Sequence, residues 1–388
     1  MIKLIKNVNI YAPEKIGIKD VLIVDGKIAK IGDIDFSSDF VEVVEAKGKI
    51  MIPGLVDCHV HLLGGGGEGG FKTRTPEIML SDLIEGGITT VVGCLGTDGI
   101  TRSMEALVAK AYGLREEGIS AYVYTGSYRV PLVTITGSIQ KDIMMIEPIV
   151  GIGEIALADH RSSQPTVEEF ARISADARVG GILSGKSGLV NIHLGDGKDM
   201  LKYLHHMHEF TDIPLSQFLP THANRNPELY QEAVSYAKNG GYIDFTTSTV
   251  PQFIEEGEIP AADAYALAIQ NGVSDTHMTF SSDGQGSLPL FDQNGVLKGL
   301  DVGRVTSMFS TLKTLVCDKN MALDVALKPF TLNPAQLLKL KSKGRIQENA
   351  DADFVLISEV GFEISDVVSG GKWMMQEGKL KTKGTFEK

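Results

Sequence analysis

Between residues 53 and 341 the chain alternates short apolar runs with amphipathic stretches, and this alternation restricts its fold more than any other feature. The runs at 55–62, 89–95, 121–125, 149–157, 189–194, 215–219, 242–245 and 277–280 have the length and apolar content of buried strands. Helical patterns fall between most of them, at 76–85, 101–117, 166–178, 197–210, 227–239, 261–271 and 302–316. About eight strands, each followed by a helix, is the count of an α/β (β/α)8 TIM barrel. Chemistry on such a barrel sits at the C-terminal face, where strands end and loops begin.

The two ends of the chain have a different texture. Short strands are predicted at 4–11, 21–24, 27–31 and 41–44, and again at 354–357, 366–368 and 372–375; Asp25-Gly26 marks a tight hairpin. Residues 1–52 and 342–388 are therefore expected to build one small β-sandwich domain together. A chain of 388 residues, 43% hydrophobic, has core enough for both parts. The net charge of −12, from 37 basic and 49 acidic residues, argues against a nucleic-acid partner. The N-terminus alternates apolar and polar residues instead of forming a leader, and no window reaches membrane-spanning length, so cytoplasmic residence is the expectation. Three scattered cysteines, Cys58, Cys94 and Cys317, suggest reduced buried thiols and no disulfide framework.

The strand ends supply the chemistry. His59 and His61 flank Val60 at strand spacing, so both imidazoles are predicted to share one face while Cys58 and Val60 take the other. The fourth strand carries Glu154, the fifth ends at His193, the sixth leads to His222, and the eighth ends at Asp283. One His at a strand end is commonly a hydrogen-bonded structural residue, and one Asp a helix cap. Four histidines and two carboxylates at one face are instead the donor set of a zinc site with positions left for solvent. Two such ions about 3.5–4 Å apart would generate hydroxide and polarise a carbonyl.

This pattern resembles the amidohydrolase superfamily, as does the return through Gly344-Arg345-Ile346 and residues 350–356. Gly64 to Gly70, Gly96-Thr97-Asp98, Gly126-Ser127-Tyr128, residues 158–162, 221–225 and 282–287 are similar, more narrowly, to the isoaspartyl dipeptidase (β-aspartyl peptidase) family. The resemblance implies hydrolysis of the isopeptide bond of isoaspartyl dipeptides, with two Zn2+ held by His59, His61, His193, His222, Asp283 and a carboxylated lysine bridging the ions. This chain has Glu154 at the lysine's place, and Glu154 is expected to bridge directly. Lys186 lies in a loop before strand five and is not expected to substitute.

By the same resemblance Asp283 is the general base and acid, and Tyr128 donates to the carbonyl oxygen as it becomes anionic. A β-aspartyl dipeptide carries one ammonium and two carboxylates. Glu68 with the Gly66 carbonyl suits the ammonium, Arg161 and Arg225 suit the carboxylates, and Thr97 and Ser287 are further hydrogen-bonding partners. His205, His206 and His208 fall in a helical pattern and read as solvated decoration. A homo-oligomer, an octamer in the family, is implied. Competing readings are a dihydroorotase-like cyclic amidase, an N-acyl amino acid deacylase, a deaminase, or a non-catalytic barrel scaffold.

Overall fold

A computed structural model describes residues 2–36, 38–292 and 297–388. Eight parallel barrel strands occur in chain order: one, Leu55–Val60; two, Ile88–Gly93; three, Ser120–Thr125; four, Ile149–Leu157; five, Leu189–Leu194; six, Phe218–Thr221; seven, Ile243–Thr246; eight, Met278–Ser281. Strands one to six form one continuous sheet and strands seven and eight a second. Side chains and single bonds close the two seams. The His61 N–H donates to the Gly284 carbonyl at 2.9 Å between strands one and eight. Between six and seven, the Asn224 side chain accepts from Thr246 N–H at 2.9 Å and donates to its carbonyl at 3.2 Å, standing in for a ladder rung.

The helices around the barrel are set by local signals. Ser103 caps Met104–Glu117, Thr166 and Glu169 form a capping box on Val167–Ser184, and Asn226 precedes Pro227 at the start of Pro227–Lys238. Their apolar faces bury against the outside of the strands, around Leu107, Phe170 and Leu229. Inside the barrel a separate apolar plug fills the lower half. Val56, Val92, Tyr124, Val150 and Leu219 meet there with Leu337 and Leu338, which close the bottom. The polar residues of the upper half thus rest on a dry floor, where electrostatic interactions are strengthened.

Both termini enter one nine-stranded sheet. The halves join where Lys49–Pro53 pairs antiparallel with Phe354–Ser358. Its own core gathers Ile5, Val8, Val21, Met51, Phe354 and Leu356. Asp25 and Gly26, at φ +49° and +76°, form the tight turn that their sequence signals.

Four expectations need correction. Strand six runs Phe218–Thr221, and Leu215–Gln217 is a 3-10 turn; Pro220 is tolerated because this strand is an edge of its sheet. Residues 302–316 are helical only in their later part: Leu297–Val302 pairs antiparallel with Ser287–Phe291, and the helix starts at Ser307, α-helical to Lys313 and π-helical through Thr314–Asp318. Cys58 and Val60 do not share a face. The strand pairing slips between Asp57 and Val60, which sends Cys58 into the inner plug and Val60 into the outer core. Cys317 is exposed, not buried.

Candidate active site

The six predicted metal-ligating side chains reach the C-terminal mouth of the barrel and converge. Glu154 is the centre of the group. Its Oε2 lies 3.1 Å from His59 Nε2 and 3.3 Å from His193 Nδ1, and its Oε1 lies 3.4 Å from His61 Nε2. Asp283 Oδ1 stands 3.1 Å from His61 Nε2 and 3.7 Å from His59 Nε2. His222 Nε2 faces His193 Nδ1 at 3.0 Å. Next to Glu154, Gly153, at φ +145°, lets strand four lie close to strand five: a Cβ there would come within 2.8 Å of Asn191. His222 and Asp283 themselves sit at φ +65° and +51°, a left-handed conformation that costs a non-glycine residue roughly 1–2 kcal/mol.

Each imidazole spends one nitrogen on an orienting partner. His59 Nδ1 pairs with Asn191 Oδ1 at 3.0 Å, His222 Nδ1 with Thr246 Oγ1 at 2.6 Å, His193 Nε2 with Asp159 Oδ2 at 3.0 Å, and His61 Nδ1 with Cys94 Sγ at 3.8 Å. The other nitrogen of each turns toward the centre. There His59 Nε2, both Glu154 oxygens and Asp283 Oδ1 are buried without a hydrogen-bond partner. Unpaired groups of this kind are expensive in a dry interior. His193 Nδ1 and His222 Nε2 stand 3.0 Å apart, with the Tyr128 hydroxyl 2.9 Å from the same His193 nitrogen, so a proton or a cation can be shared there. The donor set therefore fits divalent cations. Among the described residues two ligand-capable groups form, His59, His61, Cys94 and Glu154, and Glu154, His193 and His222, each with its ligand atoms within 4.8 Å of one another. Glu154 belongs to both.

Above this floor opens a cavity of about 890 Å³. Gly66, Glu68, Thr97, Tyr128, Arg161, Arg225 and Ser287 all line it. Glu68 Oε1 accepts from Thr97 Oγ1 at 2.9 Å and from Arg161 Nη1 at 3.1 Å. Arg161 is held by Asp159 at 2.7 and 2.9 Å. Burial works against ionisation of Asp159, but His193 and Arg161 outweigh it and hold the carboxyl well below its usual range. Burial, with Glu154 nearby, pushes the Tyr128 phenol well above its usual range, so it stays a donor. Arg225 is less committed. Its Nη1 lies 3.7 Å from Asp196, and its buried Nε has no partner.

Several residues here carried no legible signal in the sequence. Asn191, Thr246 and Cys94 orient imidazoles, and each reads locally as an ordinary strand or loop residue. Asp159 was visible only as part of a motif, without its double role on His193 and Arg161. Glu258 enters the cavity wall, where burial pushes its carboxyl up to about 7 against the opposing pull of Thr249 and Arg225. The set-aside residues stay apart: Lys186 Nζ donates to the carbonyls of Ile143, Ile146 and Ile149 at 2.6–2.9 Å, and His205 pairs with Glu232 on the outer surface.

A closed α/β barrel with this histidine and carboxylate floor defines a metal-dependent hydrolase class, and the family comparison agrees: residues 50–374 match the amidohydrolase family. The chain belongs to the amidohydrolase family. Within it, the chain is similar over its full length to the β-aspartyl dipeptidase of Fervidobacterium islandicum AW-1. A crystal structure of that enzyme in complex with β-Asp-Leu dipeptide shares 49% identity at a TM-score of 0.92, covering 100% of both chains. A second structure of that dipeptidase shares 46% identity at a TM-score of 0.90, again covering 100% of both chains. A dihydroorotase from Lactococcus lactis is 22% identical across 92% of this chain and 89% of its own.

Proposed function

We propose that the chain hydrolyses the isopeptide bond of β-aspartyl dipeptides. The observation that carries this reading is the presence, in one cavity, of a cation-ready floor together with Glu68, Arg161 and Arg225, which stand among further charged lining residues, Asp98, Arg102, Asp196, Glu256, Glu258 and Asp292. A carboxylate and guanidinium groups around one floor can take up a substrate's ammonium and its carboxylates. The likeness at 49% identity to a dipeptidase crystallised with β-Asp-Leu supports it.

The metal ligands are His59, His61, Glu154, His193, His222 and Asp283. They would hold two zinc ions with Glu154 common to both, and bound there the ions supply an activated water and a polarised carbonyl. Asp283, at the cavity floor, takes a proton from the attacking water and returns it to the leaving nitrogen as the C–N bond breaks. Tyr128 donates to the carbonyl oxygen as charge develops there. Glu68 and the Gly66 carbonyl receive the ammonium, Arg161 and Arg225 the carboxylates, and Thr97 and Ser287 complete the wall. Residues 53–341 form the catalytic domain, and 1–52 with 342–388 the accessory one. No helix among the described residues is long and apolar enough to cross a membrane. Exposed Met145, Val179, Ile182 and Leu183 on adjoining helices suit self-association into a homo-oligomer.

Dihydroorotase-like action is the second reading, favoured by the L. lactis relative. A cyclic amide has no free ammonium for Glu68. Purified chain with added zinc is therefore assayed on β-aspartyl dipeptides, their α-linked isomers and dihydroorotate. Selective release of aspartate from β-Asp-Leu is expected; comparable turnover of α-linked peptides or dihydroorotate would remove the assignment.

A further inference from the structure

The loop that carries Glu68 has few side chains of its own to hold its shape. Gly64, Gly66 and Gly67 sit at φ +77°, +67° and +109°, a path that favours glycine. The loop is nevertheless seated tightly, since a Cβ on Gly66 would come within 2.9 Å of the Ser287 side chain. Its peptide carbonyls turn inward, toward a cation the chemistry above does not use.

That cation is Arg102, whose side chain is only 5% exposed. Its Nε donates to the Leu63 carbonyl at 3.0 Å, and its Nη2 to those of Gly65 and Thr75 at 2.8 and 3.4 Å. Its Nη1 reaches the Gly66 carbonyl at 3.5 Å and Asp98 Oδ2 at 3.4 Å. Asp98 also binds Arg74 Nη1 at 2.6 Å, and Arg74 lies on the loop's returning arm, bridged to Gly66. One planar guanidinium thus ties the outgoing and returning arms together, a geometry that a lysine's point-like ammonium cannot reproduce.

We infer that Arg102 is a positioning residue for the substrate's α-ammonium: although it borders the cavity, its donors are spent on the loop carbonyls and Asp98, and by fixing the glycine loop it places the Gly66 carbonyl and Glu68. The inference rests on the β-aspartyl dipeptide reading. It predicts a selective defect, because the ammonium depends on this loop directly, whereas Glu154, His193, His222, Asp283 and Arg225 stand on or just beyond other strands, His59 and His61 precede the loop at the end of strand one, and Arg161 meets it only through Glu68 at 3.1 Å.

The test compares wild type, Arg102→Met and Arg102→Lys as full-length, zinc-loaded protein. KM and kcat are measured on β-Asp-Leu, and inhibition by N-succinyl-leucine, the same molecule without its ammonium. In Arg102→Met, KM for β-Asp-Leu rises by about 10²-fold, the scale of a displacement near 1 Å. Zinc content, kcat and the inhibition constant of N-succinyl-leucine stay at wild-type values, and Arg102→Lys recovers part of the loss. Adding Glu68→Gln to Arg102→Met makes matters no worse than the poorer single variant. Equal weakening of both ligands, or loss of zinc, overturns the inference. Should Arg102→Met fail to fold, Arg102→Lys carries the test through amide hydrogen exchange. Faster exchange confined to residues 63–75 supports the clamp, and unchanged exchange there overturns it. Wild-type protein inactive on β-Asp-Leu would defeat the substrate reading instead, and the exchange result would still judge the clamp.

Discussion

Replacing Arg225 by Met separates recognition from folding, because the structure commits so little of this side chain to the protein. Among the described residues its one ion pair within 4 Å is with Asp196 at 3.7 Å, whose side chain is 72% exposed and regains water when the guanidinium leaves; Glu258 feels the same charge from farther away. The buried Nε has no partner at all. Met keeps the apolar stem, so the cost to the fold is that of an ordinary surface change, within about 0.5 kcal/mol. The cost to substrate binding is larger. Two charge-assisted hydrogen bonds to a carboxylate, at roughly 1.5–3 kcal/mol each before desolvation, give a net loss of about 3–4 kcal/mol. At 1.4 kcal/mol per decade that is a fall in kcat/KM on β-Asp-Leu of about 10²–10³-fold. Arg161 is the contrast. Removing it strands Asp159, whose side chain is 4% exposed, so Arg161→Met should lose stability as well as activity. The assay pairs steady-state kinetics with thermal melting and bound-zinc analysis. A melting point for Arg225→Met well below wild type, or zinc lost in step with activity, would refute the reasoning, since both would place Arg225 in the framework.

Three other outcomes follow from the same geometry. Glu154→Gln removes the carboxylate that, among the described residues, both ligand groups share, so it should bind fewer than two zinc ions per chain by elemental analysis; two retained ions would show that Glu154 does not bridge. Tyr128→Phe should lower kcat by about 10²–10³-fold with KM little changed, as expected for a donor used only in the transition state, and an unchanged kcat would free the phenol of that role. Burial pushes the Glu258 carboxyl up to about 7 in the fold, from about 4.5 in water. Its contribution to stability is present in full below about pH 4.5 and is lost as pH rises through 7. Glu258→Gln mimics the protonated form, so above pH 7 it should be more stable than wild type by up to about 3 kcal/mol. Melting curves at pH 5 and 8 check this, and an advantage independent of pH would contradict it.

By itself the sequence determined the barrel, the terminal sheet and most of the floor. Strand and helix periodicities are local, and a polar residue at the end of an apolar run is visible locally; His59, His61, His193, His222 and Asp283 were legible as candidate ligands because such ends recur along one chain. Even the departure at Glu154 could be read, because its strand and position were clear. Tertiary structure alone decided what faces what. The pairing slip after Asp57 turned Cys58 inward, against the simple alternation. Pro220 extended an edge strand, and Ser287 proved to begin a hairpin. Partners such as Asn191 for His59, Asp159 for His193 and Arg102 for the glycine loop lie 132, 34 and 37 residues away along the chain. A hydrogen bond is satisfied by position and angle in space, and no local pattern encodes which distant donor will arrive.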